Sequence, residues 1–240
     1  MKAFILAAGL GERLRPLTNN KPKALVKVAG MTMLERTIRN LASSGFRSFV
    51  VNIHYYGEQI IDFLAEHDNF GYDIKISDER DLLRDTGGAL KHAAPLLKGE
   101  GKFLIHNVDV VTNLDMPWFV GRSLVSDADA TLLVSDRDTK RYLLFDDEDL
   151  LVGWTNVATG EVKSPFKGLC VDACKKKAFS GIHVFSNGML SLMPTWPEKF
   201  SIIDFYLELC RSYKIEAVEY PSFQMKDLGT PEAVAGFKEF

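Results

Sequence analysis

The chain has three cysteines, five histidines and no apolar run long enough to cross a bilayer, and each shortage removes a class of function. Cys170, Cys174 and Cys210 form an odd set, which argues against a disulfide framework and for a reducing cytoplasm. As zinc ligands, Cys170 and Cys174 would supply only half of a tetrahedral set, and the nearest histidine, His183, stands alone. Charge of one sign is also lacking: 29 basic and 32 acidic side chains leave a net charge of -3. Neither nucleic acid nor a membrane surface is therefore expected as a partner, and any anion site must be local. The apolar stretch at Met1–Ala8 is too short for a signal peptide and leads directly into a glycine-rich turn. No repeat, linker or low-complexity segment is visible, so residues 1–240 are expected to form one unit.

What is present is a regular alternation. Hydrophobic residues make up 46% of the chain, ordinary for a globular protein, and short apolar runs alternate with amphipathic stretches through the first half. Strands are predicted at Ala3–Ala7, Ser48–Ile53, Asp73–Ser77, Lys102–His106 and Ala130–Ser135. Leu34, Ile38 and Leu41 recur at helical spacing between the first two, with a capping box of Thr32 and Glu35 and a stop at Gly45. Ile60, Ile61 and Leu64 mark a second helix. Parallel strands need such crossovers, so the pattern predicts an α/β doubly wound sheet. Beyond Asp136, strand-like pieces at Tyr142–Asp146 and Leu150–Thr155 are separated by acidic turns and predict antiparallel excursions. Ser164–Lys177 reads as a solvated basic loop, or alternatively as a flap over a substrate. Phe179–Phe185 returns as a strand, and helices near Ser201–Arg211 and Pro231–Phe240 close the chain.

The most informative stretch runs from Leu6 to Lys23. It joins the first strand to a turn with Gly9 and Gly11 and carries Arg13, Arg15 and Lys23. Glycine lets backbone N–H groups approach phosphates closely, a guanidinium can grip phosphate oxygens in pairs, and a lysine adds a compact charge. Two common nucleotide motifs do not fit. A dinucleotide-binding loop would need a third glycine where Leu14 stands, and the second strand ends at Asn52-Ile53 without a ribose-binding carboxylate. A P-loop would need a glycine-lysine pair followed by serine or threonine.

Leu6–Pro16 together with Pro22-Lys23-Ala24-Leu25 resembles the signature of the sugar-1-phosphate nucleotidyltransferase family, L-A-A-G-x-G-T-R-L-x-P followed by P-K-x-L, with Glu12 in place of threonine. The resemblance implies a Rossmann-like doubly wound, mostly parallel sheet with a small antiparallel sugar-binding lobe. Residues 1–135 would form the nucleotide part and residues 136–240 the sugar part with closing helices. It implies a nucleoside triphosphate and a sugar 1-phosphate as substrates, with Mg²⁺ as cofactor. Arg13 and Lys23 would then be catalytic, and Leu6, Ala7, Ala8, Gly9 and Gly11 would bind the nucleotide. Asp109, after the apolar strand Phe103-Leu104-Ile105, and Asp227, just before the cap Thr230 and Pro231, match the family's metal-holding aspartates. Val108 stands where relatives usually have glycine, which would narrow the approach to Asp109. Asp85-Thr86-Gly87-Gly88 resembles a loop that lies against base and sugar, where Gly87 and Gly88 would let a flat ring approach and the helix N-terminus would suit an anion. Asn107 and Gly181, the latter within Ser180-Gly181-Ile182, would lie beside the sugar. His54 and Tyr55 read as packing beyond a strand.

Asn52-Ile53-His54-Tyr55 with Gln59-Ile60 is similar to small bacterial members, notably N-acetylmuramate-1-phosphate uridylyltransferases and mannose-1-phosphate guanylyltransferase-like proteins. A lean to UTP with N-acetylmuramate 1-phosphate or a related hexose 1-phosphate follows from that similarity, with a mannose-1-phosphate guanylyltransferase as an alternative. The family's E-K-P sugar element is not evident, and the base, the sugar and the choice between monomer and homodimer stay open. A cytidylyltransferase acting on phosphocholine and an inactive nucleotide-sugar-binding regulator are the competing readings.

Overall fold

In the computed structural model, which describes residues 1–240, strand β1 (Lys2–Leu6) turns Ala3 and Ile5 to one face and Phe4 to the other, all fully buried. A strand apolar on both faces belongs in the middle of a sheet covered on both sides. A minimal hairpin, β2 (Lys27–Val28) with β3 (Met31–Thr32), leads into helix α1 (Met33–Ser43). Thr32 caps α1 by accepting from the Glu35 N–H at 3.1 Å, but the Glu35 carboxylate pairs with Arg39 instead of closing the box. There follow β4 (Ser48–Ile53), α2 (Gly57–Glu66), β5 (Asp73–Asp78), α3 (Asp85–Leu97) and β6 (Lys102–Asn107). Next come the short β7 (Val110–Thr112), α4 (Met116–Val125) and β8 (Ala130–Ser135). The second half holds β9 (Arg141–Phe145), β10 (Leu151–Asn156), β11 (Glu161–Lys163) and the long β12 (Lys175–Ser186). It ends with α5 (Ile202–Leu209), β13 (Ile215–Glu219), β14 (Met225–Asp227) and α6 (Pro231–Ala235).

One sheet runs β11-β10-β9-β12-β6-β1-β4-β5, with β8 paired to β12 and β13 to β8. The part β6-β1-β4-β5, all from the first half of the chain, is parallel throughout. Because the chain leaves β1 toward β4 on one side and later returns at β6 on the other, the switch point lies between β1 and β6. One apolar layer packs α1, α2 and α4 through Leu34, Leu64 and Phe119 against Ile5 and Phe49. The opposite layer packs α3 and α5 through Leu90 and Phe205 against Phe4 and Val50.

The antiparallel lobe is present but is not separate from the sheet. Strand β12 pairs with β9 through Lys175–Lys177 and then with β6 through Ile182–Ser186, so one strand serves both halves. This corrects the reading of Ser164–Lys177 as a loop or flap: Lys175-Lys176-Lys177 is strand. Its polarity hid it, and each lysine is answered by an acid, Asp149, Asp172 and the pair Asp136 and Glu219 respectively. The last helix is also shorter than expected, because Gly236 closes it after Ala235.

Leu34 lies on α1 at full burial beneath the parallel part of the sheet. Leu34→Ala is expected to cost about 3 kcal/mol in equilibrium urea unfolding; a loss below about 1 kcal/mol would contradict the layering described.

Candidate active site

The turn after β1 is built from its backbone outward. The N–H groups of Ala7 and Ala8 leave the strand ladder and donate to Asn52 Oδ1 at 2.6 and 3.2 Å, so the end of β4 holds the turn from beneath. Gly11 has φ +67°, and a Cβ there would lie 2.9 Å from Thr18 Cγ2, so conformation and space both require glycine. Its carbonyl accepts from the Thr18 hydroxyl at 2.8 Å, which folds the turn back on itself. Lys23 follows Pro22 in a short 3-10 turn and reaches across to Asp109 Oδ2 at 2.8 Å.

Asp109 and Asp227 come from distant parts of the chain but from adjacent backbone. Strand β14 pairs with β7 so that Asp227 lies opposite Val110, and Leu228 N–H donates to the Asp109 carbonyl at 2.8 Å. Arg13 reaches Asp227 at 3.8 Å, a loose and solvent-screened contact between exposed groups. Gly229 makes this approach possible: a Cβ there would lie 2.5 Å from Arg13 Nη2. Two cations and two carboxylates thus converge beyond the carboxyl ends of β1 and β6, at the switch point. No third histidine, cysteine or acid joins the two aspartates.

Three cavities meet there. One of about 330 Å³ is lined by Gly11, Arg13, Lys23, Asp109 and Gly229. The next, about 410 Å³, shares Lys23 and Asp109 and adds Leu6, Ala8, Gly9, Asn52, Glu79, Asp85, Thr86, Asn107 and Lys199. A third, about 650 Å³, continues past Leu6, Asp85, Thr86 and Asn107 into the antiparallel lobe. Together they form a cleft with paired charges at one end and a roomy pocket at the other, sized for ligands in the usual range.

The nucleotidyl transferase family model matches residues 2–144, more than half of the chain. The chain belongs to the nucleotidyl transferase family. Over 111 residues it is 43% identical to the N-acetylmuramate alpha-1-phosphate uridylyltransferase of Caulobacter vibrioides, covering 45% of this chain and 46% of that protein. Over 113 residues it is 41% identical to a mannose-1-phosphate guanyltransferase of Gibberella zeae, covering 46% and 31%. The chain thus spans about half the length of the first of these curated relatives and less of the second. A UDP-glucose pyrophosphorylase from Acinetobacter baumanii shares the fold, with a TM-score of 0.76 over 98% of this chain and 90% of that one at 17% identity.

In the cleft, Arg13, Lys23, Asp109 and Asp227 are brought together, whereas Arg15 lines none of the three cavities. Three expectations need correction. Gly87 and Gly88 do not face the cleft: a Cβ on either would collide with Phe200 at 2.4 Å or with the Glu198 carbonyl at 2.2 Å. Their N–H groups both donate to the Phe200 carbonyl, and Thr86 N–H is taken by Asp85 Oδ1, so the start of α3 has few free donors for an anion. Gly181, at φ +78°, makes room for the Asn107 side chain, which a Cβ would meet at 2.5 Å. It sits in the bulge where the β12–β8 register shifts, and Asn107 rather than the glycine lines the pockets. Val108 does not narrow the approach to Asp109, because its side chain is buried in the core on the α1 side.

Asn52, noted in the sequence only at a strand end and in a family-like stretch, and Glu79 and Lys199, not noted at all, line the central cavity. The available signal was a polar residue, Asn52, ending an apolar strand. His54 packs as expected, with Nδ1 2.7 Å from the Glu79 carbonyl. Glu79 is fully buried; Asn52 Nδ2 donates to its Oε1 at 2.9 Å, and Oε2 has no protein partner. Burial pushes the Glu79 carboxyl above its ordinary value, against the pull of the Asn52 hydrogen bond.

The folded protein therefore holds this proton to higher pH than the unfolded chain does. The contribution favours folding below the usual carboxylate range and is lost as pH rises through the raised value. Glu79→Gln removes that loss, so its Tm relative to wild type should climb as pH rises above the usual carboxylate value of about 4. A difference that is flat or falls with pH would contradict the burial of the charge.

Proposed function

We propose that the chain transfers a nucleoside monophosphate from a nucleoside triphosphate to a sugar 1-phosphate, releasing pyrophosphate. The observation that carries this reading is the convergence of Arg13, Lys23, Asp109 and Asp227 at one end of a cleft made of adjoining cavities. The attacking sugar phosphate oxygen is already an anion, so no protein nucleophile or base is required; a bond forms to the α-phosphorus as the bond to the pyrophosphate oxygen breaks. In-line geometry is then the main requirement, and the Asn52-supported turn supplies a rigid floor for it. Lys23, fixed by Asp109, neutralises charge at the α-phosphate and sugar phosphate, and Arg13 grips the departing pyrophosphate.

Two carboxylates without a third protein ligand suit Mg²⁺, which takes one or two carboxylates and completes its shell with water and substrate phosphate. Asp109 and Asp227 would hold it. When bound, the ion would neutralise charge on the phosphoryl oxygens.

For the specific pair, UTP with N-acetylmuramate 1-phosphate is favoured by the 43% identity to a uridylyltransferase of that name. A mannose 1-phosphate and GTP reading has the support of the 41% identity to a guanyltransferase. The intact set of two cations and two carboxylates favours turnover over a purely regulatory role. A cytoplasmic setting agrees with three free thiols, and no helix is long and apolar enough to cross a membrane.

Lys23→Ala and Asp109→Asn should each lower kcat by about a hundredfold or more, with a thermal transition close to that of wild type. Turnover within a factor of about two of wild type in both variants would refute the assignment of the site.

A further inference from the structure

The largest cavity carries charge that the transfer reaction does not use. Strands β9, β10 and β11 present cross-strand rows to it: Leu143, Trp154 and Lys163 stand side by side, and Arg141 lies one row further out beside Asn156. Three cations, Arg137, Arg141 and Lys163, line this cavity together with three acids, Asp85, Glu161 and Asp204, and Glu161 stands across Asn156 from Arg141 without reaching ion-pair distance. Lys163 is committed to Asp204 at 3.2 Å. Arg137 donates only to the Phe179 carbonyl, and the Arg141 guanidinium has neither a hydrogen-bond acceptor nor an acid within ion-pair distance. Neither arginine lines the two cavities that hold Lys23 and Asp109, so the phosphates already have their own cations.

The same cavity also contains a polar group waiting for a partner. His183 lies on β12 at 1% exposure, and both of its ring nitrogens lack a hydrogen-bond partner. Burial holds it neutral, with a pKa lowered to about 3, so it can donate to or accept from an uncharged substituent. An unsatisfied buried imidazole is costly unless a ligand completes it. The half-buried Trp154 adds a flat apolar surface of the kind that suits one face of a pyranose.

Resting on the transferase reading, we infer that this cavity selects a sugar 1-phosphate whose ring bears a carboxylate-carrying ether substituent, with Arg141 and Arg137 as the carboxylate site and His183 meeting a neutral polar substituent. A guanidinium fork matches a carboxylate in shape as well as charge, and both arginines are exposed at the cavity with no acid committed to them.

N-acetylmuramate 1-phosphate and N-acetylglucosamine 1-phosphate differ by the carboxylate-bearing ether and form the decisive pair of probes. Wild type, Arg141→Gln and Arg141→Lys are assayed by pyrophosphate release, and binding of each sugar phosphate is measured in parallel by calorimetry. Wild type should prefer the carboxylate sugar. Arg141→Gln should raise its KM by about tenfold or more, with kcat at saturation and the KM for nucleotide within a factor of about two, and Arg141→Lys should recover part of the loss. Equal use of the two sugars by wild type, or an Arg141→Gln effect of the same size on both, would overturn the proposal. Absence of turnover with every nucleoside triphosphate would overturn the transferase reading instead; calorimetry then decides this proposal alone, since a carboxylate preference abolished by Arg141→Gln supports it and equal or absent binding refutes it.

Discussion

A buried amide determines whether this cleft has a floor. Where β1 ends, the backbone must leave its ladder to turn toward the ligand, and the N–H groups of Ala7 and Ala8 lose their strand partners in a buried place. Asn52 Oδ1 accepts both, while its amide nitrogen is spent on Glu79. Two orphaned donors at that depth would cost several kcal/mol, on the order of 2 to 6, so the turn cannot adopt this path without the amide. From that fixed turn, Lys23 is delivered to Asp109, and β7, paired with β14, carries Asp227 alongside. The site's charges are therefore positioned by main-chain geometry more than by their mutual attraction, which for exposed Arg13 and Asp227 is weak.

The second constraint is the double use of β12. Its first residues bind the antiparallel lobe and its later residues border β6, so a shift of one residue would move both walls of the cleft together. Gly181 lies at the junction, where the bulge re-aims the strand and opens room for Asn107 between the central and the largest cavity. The parallel and antiparallel parts are thus one sheet joined through β12, not two lobes docked side by side.

Much of this was legible in the sequence where a single segment carries its own signal. Ser48–Ile53 and Ala130–Ser135 are strands to the residue, because the short apolar cores Phe49–Val51 and Leu132–Val134 are bracketed by polar residues that leave little choice of boundary. The glycine turn with Arg13 and Lys23 was legible because its residues lie within one short segment, Leu6–Lys23. What depended on distant partners was not. Lys175–Lys177 forms strand only because acids from four other segments neutralise it, and Gly87 with Gly88 serves a packing contact to Phe200 more than a hundred residues away. Glu79 gave no signal at all: an acid after a strand is ordinarily a solvated turn residue, and here it is sealed beneath Asn52.

The central claim is that the cleft directs attack at the α-phosphorus of a nucleoside triphosphate. Parallel reactions with nucleoside triphosphate labelled at the α- or the γ-phosphate, in the presence of sugar 1-phosphate, test it most directly. The account predicts that α-label enters the nucleotide sugar while γ-label leaves in pyrophosphate. Appearance of γ-label in the sugar product or in free orthophosphate as the primary product would contradict it.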